Sequence, residues 1–329
     1  MTAIAATLQS FFTDRLARHR QVSPHTIASY RDTLRLLLQF LRQRTGITPS
    51  RLDWADLDPD SICAFLDHLE SDRGNSTRTR NARLTAIRSL FAYAALRHPE
   101  HAALIARVLA IPAKRFDKAT VTFLDEHEVT ALLHAPDRNR WEGRRDFTLI
   151  LVAIQTGLRV SELLSLNCGD VIDGVGAHLR CQGKGRKHRA VPLTGPVENA
   201  MQAWLAERHA LPDQPVFATR TGRRLSPDAV QRRVNLHAVT AAEHCPSLQG
   251  RRLSPHTFRH TSAMNLLHSG VDTTVIALWL GHADVRSTNA YLHADLAIKE
   301  RALERVAPIT TETGRYRPPD KLLAFLESL

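Results

Sequence analysis

Apolar residues recur at helical spacing along most of this chain, and the pattern changes character at two places. Such a chain folds mainly as packed α-helices, with its sheet confined to one short region. The first break is the basic, proline-marked stretch Ile111-Pro112-Ala113-Lys114-Arg115-Phe116-Asp117-Lys118, which reads as an interdomain linker. The second lies between residues 171 and 193. There the period shortens to the β-like runs HLRC (178–181) and RAVPL (189–193) around the glycine-rich turn QGKGRKH, a hairpin with a lysine at its tip. At 329 residues the chain exceeds one ordinary core and suits two domains. The expected plan is a helical domain over 1–112, a linker over 113–122 with the boundary near 115, a mostly helical domain over 123–307 with a small antiparallel sheet, and a tail over 308–329.

In the first domain, Ser23-Pro24 reads as an N-cap with proline in the first turn, followed by Ile27, Tyr30, Leu34, Leu37, Leu38 and Leu41 at helical spacing. Asp60 is expected to cap a second helix through Ile62, Phe65, Leu66 and Leu69, ending at Gly74-Asn75. A third helix is expected from about Ser76 to Arg97, with Leu84, Ile87, Leu90 and Phe91 as its buried stripe. That helix and its lead-in carry Arg73, Arg78, Arg80, Arg83, Arg88 and Arg97, with no carboxylate between Arg73 and Arg97. A solvated arginine-rich face is the plain alternative, but such faces usually mix signs. Arg78, Arg80, Arg83 and Arg88, joined by Lys114 and Arg115 of the linker, are therefore expected to meet phosphates.

A formal charge of +11 favours a polyanionic partner, nucleic acid being the commonest, although a basic protein that merely stays soluble has the same balance. No stretch of eighteen uncharged apolar residues suggests a membrane span. The N-terminus has no basic segment ahead of its short apolar run and meets an acid at Asp14, which argues against a secretory signal and for the cytoplasm. Cys63, Cys168, Cys181 and Cys245 lie far apart without a C-x-x-C pair, so they read as reduced structural thiols.

The second domain opens on Asp125-Glu126-His127-Glu128, a capping-box pattern. A helix from Phe147 to Gln155 should end at Gly157, a residue suited to the left-handed C-terminal position. Arg159 follows, in TGLRVSELLSL at the start of the next helix. Ser254-Pro255 caps another helix and sets His256, Arg259 and His260 at i, i+3 and i+4. Past the helix stop at Gly281 come His282 and, nine residues later, Tyr291. Breaking a phosphodiester without a metal needs a nucleophile, cations for the crowded phosphorane and an acid for the leaving oxygen, and the chain offers all three. Singly the pieces are weak. A lone helical tyrosine usually packs, an arginine at a helix start usually pairs with a carboxylate, and His256 with His260 have zinc-ligand spacing but lack the glutamate a metalloprotease helix places after the first histidine.

Together, TGLRVSELLSL, QGKGRKHRAVPL, SPHTFRH, LGH and the tyrosine of STNAYLH occur in the order and approximate spacing of the tyrosine recombinase family, and residues 123–295 resemble its phage-integrase and Xer branch. The N-terminal region resembles that family's SAM-like core-binding domain more loosely. The resemblance places the family's two arginines on Arg159 and Arg259, its hairpin lysine on Lys184, its histidines on His256 and His282 and its nucleophile on Tyr291. Lys187 rivals Lys184 in the same turn. Phe258 departs from the usual leucine at a position expected to pack inward. Arg180, Arg186, Lys187 and Arg189 are expected to touch phosphates or the minor groove. Glu162 is expected to orient Arg159, and His260 to support or pack.

The same resemblance implies a C-shaped clamp of two domains around double-stranded DNA at specific sites, in a tetramer or with a related recombinase, using neither cofactor nor metal. The chemistry implied is strand cleavage and rejoining through a 3′-phosphotyrosyl intermediate. In the tail, KLLAFLESL after Arg315-Tyr316-Arg317-Pro318-Pro319 reads as a short amphipathic helix that docks on a neighbouring protomer or on its own domain. A catalytically silent DNA-binding accessory protein, a type IB topoisomerase and a metal-dependent nuclease are the competing readings. For the last of these the sequence supplies no clustered acidic ligand set.

Overall fold

The computed structural model describes residues 3–116, 121–183, 188–281 and 291, and its chain falls into two units, residues 1–119 and 120–329. In the first unit, α1 (Ala3–Ser10) runs into a π-helical stretch, Phe11–His19, which puts Ile4, Phe11 and Leu16 into the core. This helical start lies ahead of the first helix expected from the sequence. Helix α2 (Pro24–Thr45) begins where the Ser23 hydroxyl accepts from the Thr26 N–H at 3.2 Å and ends at Gly46, whose φ of 72° closes the last turn.

Helix α3 (Pro59–Ser71) is capped by Asp58, not Asp60, because the Asp58 carboxylate accepts from the Ser61 N–H at 2.7 Å while Asp60 lies inside the first turn. Helix α4 (Thr77–Ala94) starts at Ser76 as expected and stops short of Arg97. Helix α5 (Ala102–Ala110) completes the bundle. Leu37, Leu41, Trp54, Phe65, Leu66 and Phe91 fill its centre, with the Trp54 and Phe91 rings edge to face at 5.5 Å.

The arginines of α4 do not share one outward face. Helices α2, α3 and α5 all pack against α4, so arginines spread round its circumference cannot all reach water. Arg80 is buried, 3.7 Å from the Glu70 carboxylate of α3. Arg88 donates to the Ile111 carbonyl and Arg83 is half-buried. Arg78 is exposed over the Phe116 ring, 5.5 Å from its centroid. Lys114 also binds Glu70, at 2.5 Å, and Arg115 is exposed.

In the second unit, α6 (Glu126–His134) has the expected capping box: Asp125 accepts from the Glu128 N–H at 2.8 Å and Glu128 accepts from the Asp125 N–H at 3.1 Å. Helix α7 (Trp141–Thr156) begins earlier than its apolar run and ends at Gly157 with φ 62°. Helix α8 (Val160–Ser165) follows at once. A three-stranded antiparallel sheet comes next, β1 (Val171–Ile172), β2 (His178–Gln182) and β3 (His188–Pro192), in that spatial order. Leu179 pairs with Val191 and Cys181 with Arg189, and Leu179, Cys181 and Val191 are buried.

Four further helices follow among the described residues: α9 (Gly195–Arg208), α10 (Pro227–Ala242), α11 (Pro255–His268) and α12 (Thr273–Leu280). Trp204, Phe217 and Phe258 anchor the main core, so the phenylalanine that departs from the usual leucine does pack inward. A smaller cluster of Ala263, Met264, Leu267, Ile276 and Leu280 receives the ring of Tyr291. The hairpin tip with Lys184, Arg186 and Lys187, the segment with His282, and the tail over 308–329 lie outside the described residues.

Candidate active site

The left-handed turn at Gly157 begins a three-residue break between α7 and α8, which sets Arg159 at the N-cap of α8. Three residues along the same turn stands Glu162, 4% exposed, and its carboxylate is the hub of the site. Oε2 accepts from the Arg159 N–H at 2.9 Å and Oε1 from the Arg159 guanidinium at 2.7 Å. The other Arg159 nitrogen donates to the Gly281 carbonyl at 3.2 Å. Arg159 remains 33% exposed, so a guanidinium fixed on two sides still faces outward.

On α11, capped by Ser254 through the Thr257 N–H, Arg259 points into the protein and donates to the carbonyls of Gly157 at 2.6 Å and Leu280 at 2.7 Å. These oxygens are left open by the ends of α7 and α12, where the helix dipole is negative. Burial, reinforced by the like charge of Arg159, brings the Arg259 pKa down to about 10, so the group stays cationic at neutral pH. His256 lies at the rim of the site. Desolvation by its neighbours and the charges of Arg259 and Arg159 hold its pKa below the ordinary histidine value.

The His256 and His260 rings meet edge to face at 4.3 Å, and His260 Nδ1 is 3.1 Å from the Tyr291 hydroxyl. Tyr291 is 3% exposed and helical. Burial raises its pKa above that of a free phenol, against the pull of the Arg259 and Arg159 charges, so it enters any reaction as a neutral phenol. Arg159, His256, Arg259 and Tyr291, which the sequence singles out from three separate segments, thus converge. Among the described residues no group of three or more His, Cys, Asp or Glu could hold a metal ion.

Arg189 departs from its expected role. It lies on β3 with its side chain 15% exposed, and its two terminal nitrogens donate to Glu162 Oε1 at 3.2 Å and Oε2 at 2.9 Å, inside the site and not toward a groove. The signal was in the strand alternation. Val191 faces the core, so Arg189 two residues earlier shares that face, and a buried arginine there needs a carboxylate. Arg180, one residue out of phase with Cys181, is exposed and donates to the Gly169 carbonyl at 2.6 Å.

The family model described as phage integrase family matches residues 122–297, and that of its N-terminal SAM-like domain matches residues 10–98. The chain is 51% identical over 327 residues to y4rC of Sinorhizobium fredii, described as an integrase/recombinase, covering 99% of this chain and 98% of that one. It is 33% identical over 308 residues to tyrosine recombinase XerC of Pseudomonas aeruginosa, covering 92% and 95%. Its fold is that of the XerH site-specific recombinase, solved bound to palindromic difH substrate in a post-cleavage complex, with a TM-score of 0.67 at 22% identity over 88% of this chain and 82% of that one. Matched through both units by family and along nearly all its length by relatives, the chain belongs to the phage integrase family of tyrosine recombinases, on its Xer-like side.

Proposed function

We propose that this site-specific DNA recombinase cleaves with Tyr291 as nucleophile, forming a 3′-phosphotyrosyl bond and releasing a 5′-hydroxyl. The observation that carries the reading is the placement of the Tyr291 hydroxyl, buried, hydrogen-bonded to His260 and within the field of two guanidiniums. With His260 in the tautomer that carries its proton on Nε2, Nδ1 accepts from the phenol, which aims the oxygen and gives its proton a destination. The phenolic oxygen bonds to phosphorus as the bond to the 5′-oxygen breaks. Arg159 and Arg259 neutralise the non-bridging oxygens, the largest contribution expected in such chemistry. His256 and His282 hydrogen-bond the phosphate, and Lys184 protonates the leaving oxygen. The incoming 5′-hydroxyl of the partner strand then attacks the phosphotyrosine and returns the phenol. Bond energy is conserved, so neither ATP nor a metal ion is required.

Joining two duplexes requires four strand cuts, and each site holds one tyrosine. Four protomers therefore meet on the DNA, as copies of this chain or with a related recombinase, with residues 1–112, the linker over 113–122 and the catalytic domain over 123–307 each contributing contacts to the duplex. Arg78, Arg83, Arg88, Lys114, Arg115, Arg186 and Lys187 contact its backbone. The decisive experiment uses a nicked duplex, bearing a site recovered from DNA that co-purifies with the protein, from which a short fragment escapes after cleavage. Wild type in EDTA is expected to accumulate a covalent protein–DNA adduct, and Tyr291→Phe none. An adduct formed equally by Tyr291→Phe excludes Tyr291 as the nucleophile.

A further inference from the structure

We propose that Arg189 is a positioning residue for strand cleavage, holding Glu162 and, through it, the Arg159 guanidinium in the orientation that meets the phosphate. The inference rests on the reading of the site given above. Glu162 has two oxygens and receives four hydrogen bonds, two from Arg159 and two from Arg189. The Arg189 pair is a parallel fork from a side chain rooted in the middle of a paired strand, opposite Cys181. Arg159 hangs from a helix terminus and is the more exposed of the two, so Arg189 is the fixed anchor and Arg159 the working end.

A second contact joins Arg189 to the same guanidinium. A side-chain carbon at Gly281 would lie 2.4 Å from Arg189 Nη1 and 2.8 Å from its Cζ, so the Gly281 backbone rests against the Arg189 guanidinium. The Gly281 carbonyl in turn accepts from Arg159. Both groups that hold Arg159 are therefore braced by Arg189. Charge points the same way. A buried carboxylate facing Arg159 alone would form a neutral pair with little attraction left for a phosphate, whereas a second guanidinium leaves the cluster cationic. A direct phosphate contact, by contrast, needs donors turned outward, and both terminal nitrogens of Arg189 are turned to Glu162.

The test measures single-turnover cleavage of the nicked duplex and, separately, affinity for the uncut duplex, for wild type, Arg189→Gln, Arg189→Lys, Glu162→Gln and the double variant. Arg189→Gln is expected to slow cleavage about 30- to 100-fold, a span typical for residues that orient a reacting group, while affinity changes less than about threefold. Arg189→Lys, which keeps the charge but not the fork, should recover about a third to a half of that loss on a logarithmic scale. In the Glu162→Gln background, Arg189→Gln should add less than about a factor of two, because the group it acts through is gone. The proposal is overturned by wild-type cleavage in Arg189→Gln, by independent multiplication of the two losses, or by affinity and cleavage falling together, which marks a phosphate contact. If Arg189→Gln does not fold, Arg189→Lys gives the same comparison of rate with affinity. A wild type that binds the site yet forms no adduct defeats the Tyr291 reading itself, an outcome no Arg189 variant can mimic.

Discussion

Arg259 joins two helix ends by giving one hydrogen bond to Gly157 and one to Leu280 from the two separate nitrogens of its planar fork. Arg259→Lys keeps the charge and drops one of these bonds. Cleavage should fall by about 10² or more with DNA affinity nearly retained, measured on the nicked duplex at single turnover. His256 leads to a prediction about pH. Its folded pKa lies below the ordinary value of about 6.5, so the stability tied to its neutral form is complete above that pH and is lost as pH falls toward the folded value, because the unfolded chain takes up the proton first. His256→Gln should flatten the fall in urea midpoint between about pH 6.5 and pH 5. At this scale the sequence marks residues whose type and order are diagnostic, such as Arg159, Arg259 and Tyr291. It misassigns Arg189 because a basic residue in a basic hairpin looks like a surface contact until the strand phase is read. Arg80 misleads for a related reason: the carboxylate it meets, Glu70, lies on another helix, outside any window drawn around α4.

Helix ends are where elements and chemistry meet. Gly157 stops α7 in the left-handed conformation, and a methyl group there would come within 2.5 Å of Leu280 and 2.9 Å of the Ser262 hydroxyl. Gly157→Ala is expected to cost about 2 kcal/mol or more in urea unfolding, and to slow cleavage as well, since the displaced carbonyl is an Arg259 acceptor. Punctuation by proline, serine and glycine makes α2, α4, α11 and the end of α7 legible, and the Asp125–Glu128 capping box does so for α6. The π-helical run 11–19 and α5 form by packing apolar faces into the bundle, which short windows do not reveal. Asp58 and Asp60 both precede the same apolar stripe, and only the proline between them shows which stands outside the helix.

At the scale of the whole chain, the two units have separate hydrophobic cores, one centred on Trp54, Phe65 and Phe91 and the other on Trp204, Phe217 and Phe258. Calorimetry without DNA should resolve two transitions, and Trp54→Ala, which removes about 3–5 kcal/mol of packing, should lower one and leave the other in place. A single transition moved as a whole would mean that the units unfold together. A protein of net charge +11 should also bind DNA with a steep dependence on salt, losing on the order of 10³ in affinity between about 50 mM and 200 mM, read by fluorescence anisotropy. Three guanidiniums gathered in one site, with one carboxylate shared by two of them, bear on folding as well as on catalysis. An assembly of like charges held by the fold resists that fold until an anion arrives, and by mass action whatever fills the gap between Arg159 and Arg259 is a ligand of the native state alone. The recombination site is in that sense a folding cofactor for the enzyme, tightening the domain that is about to cut it.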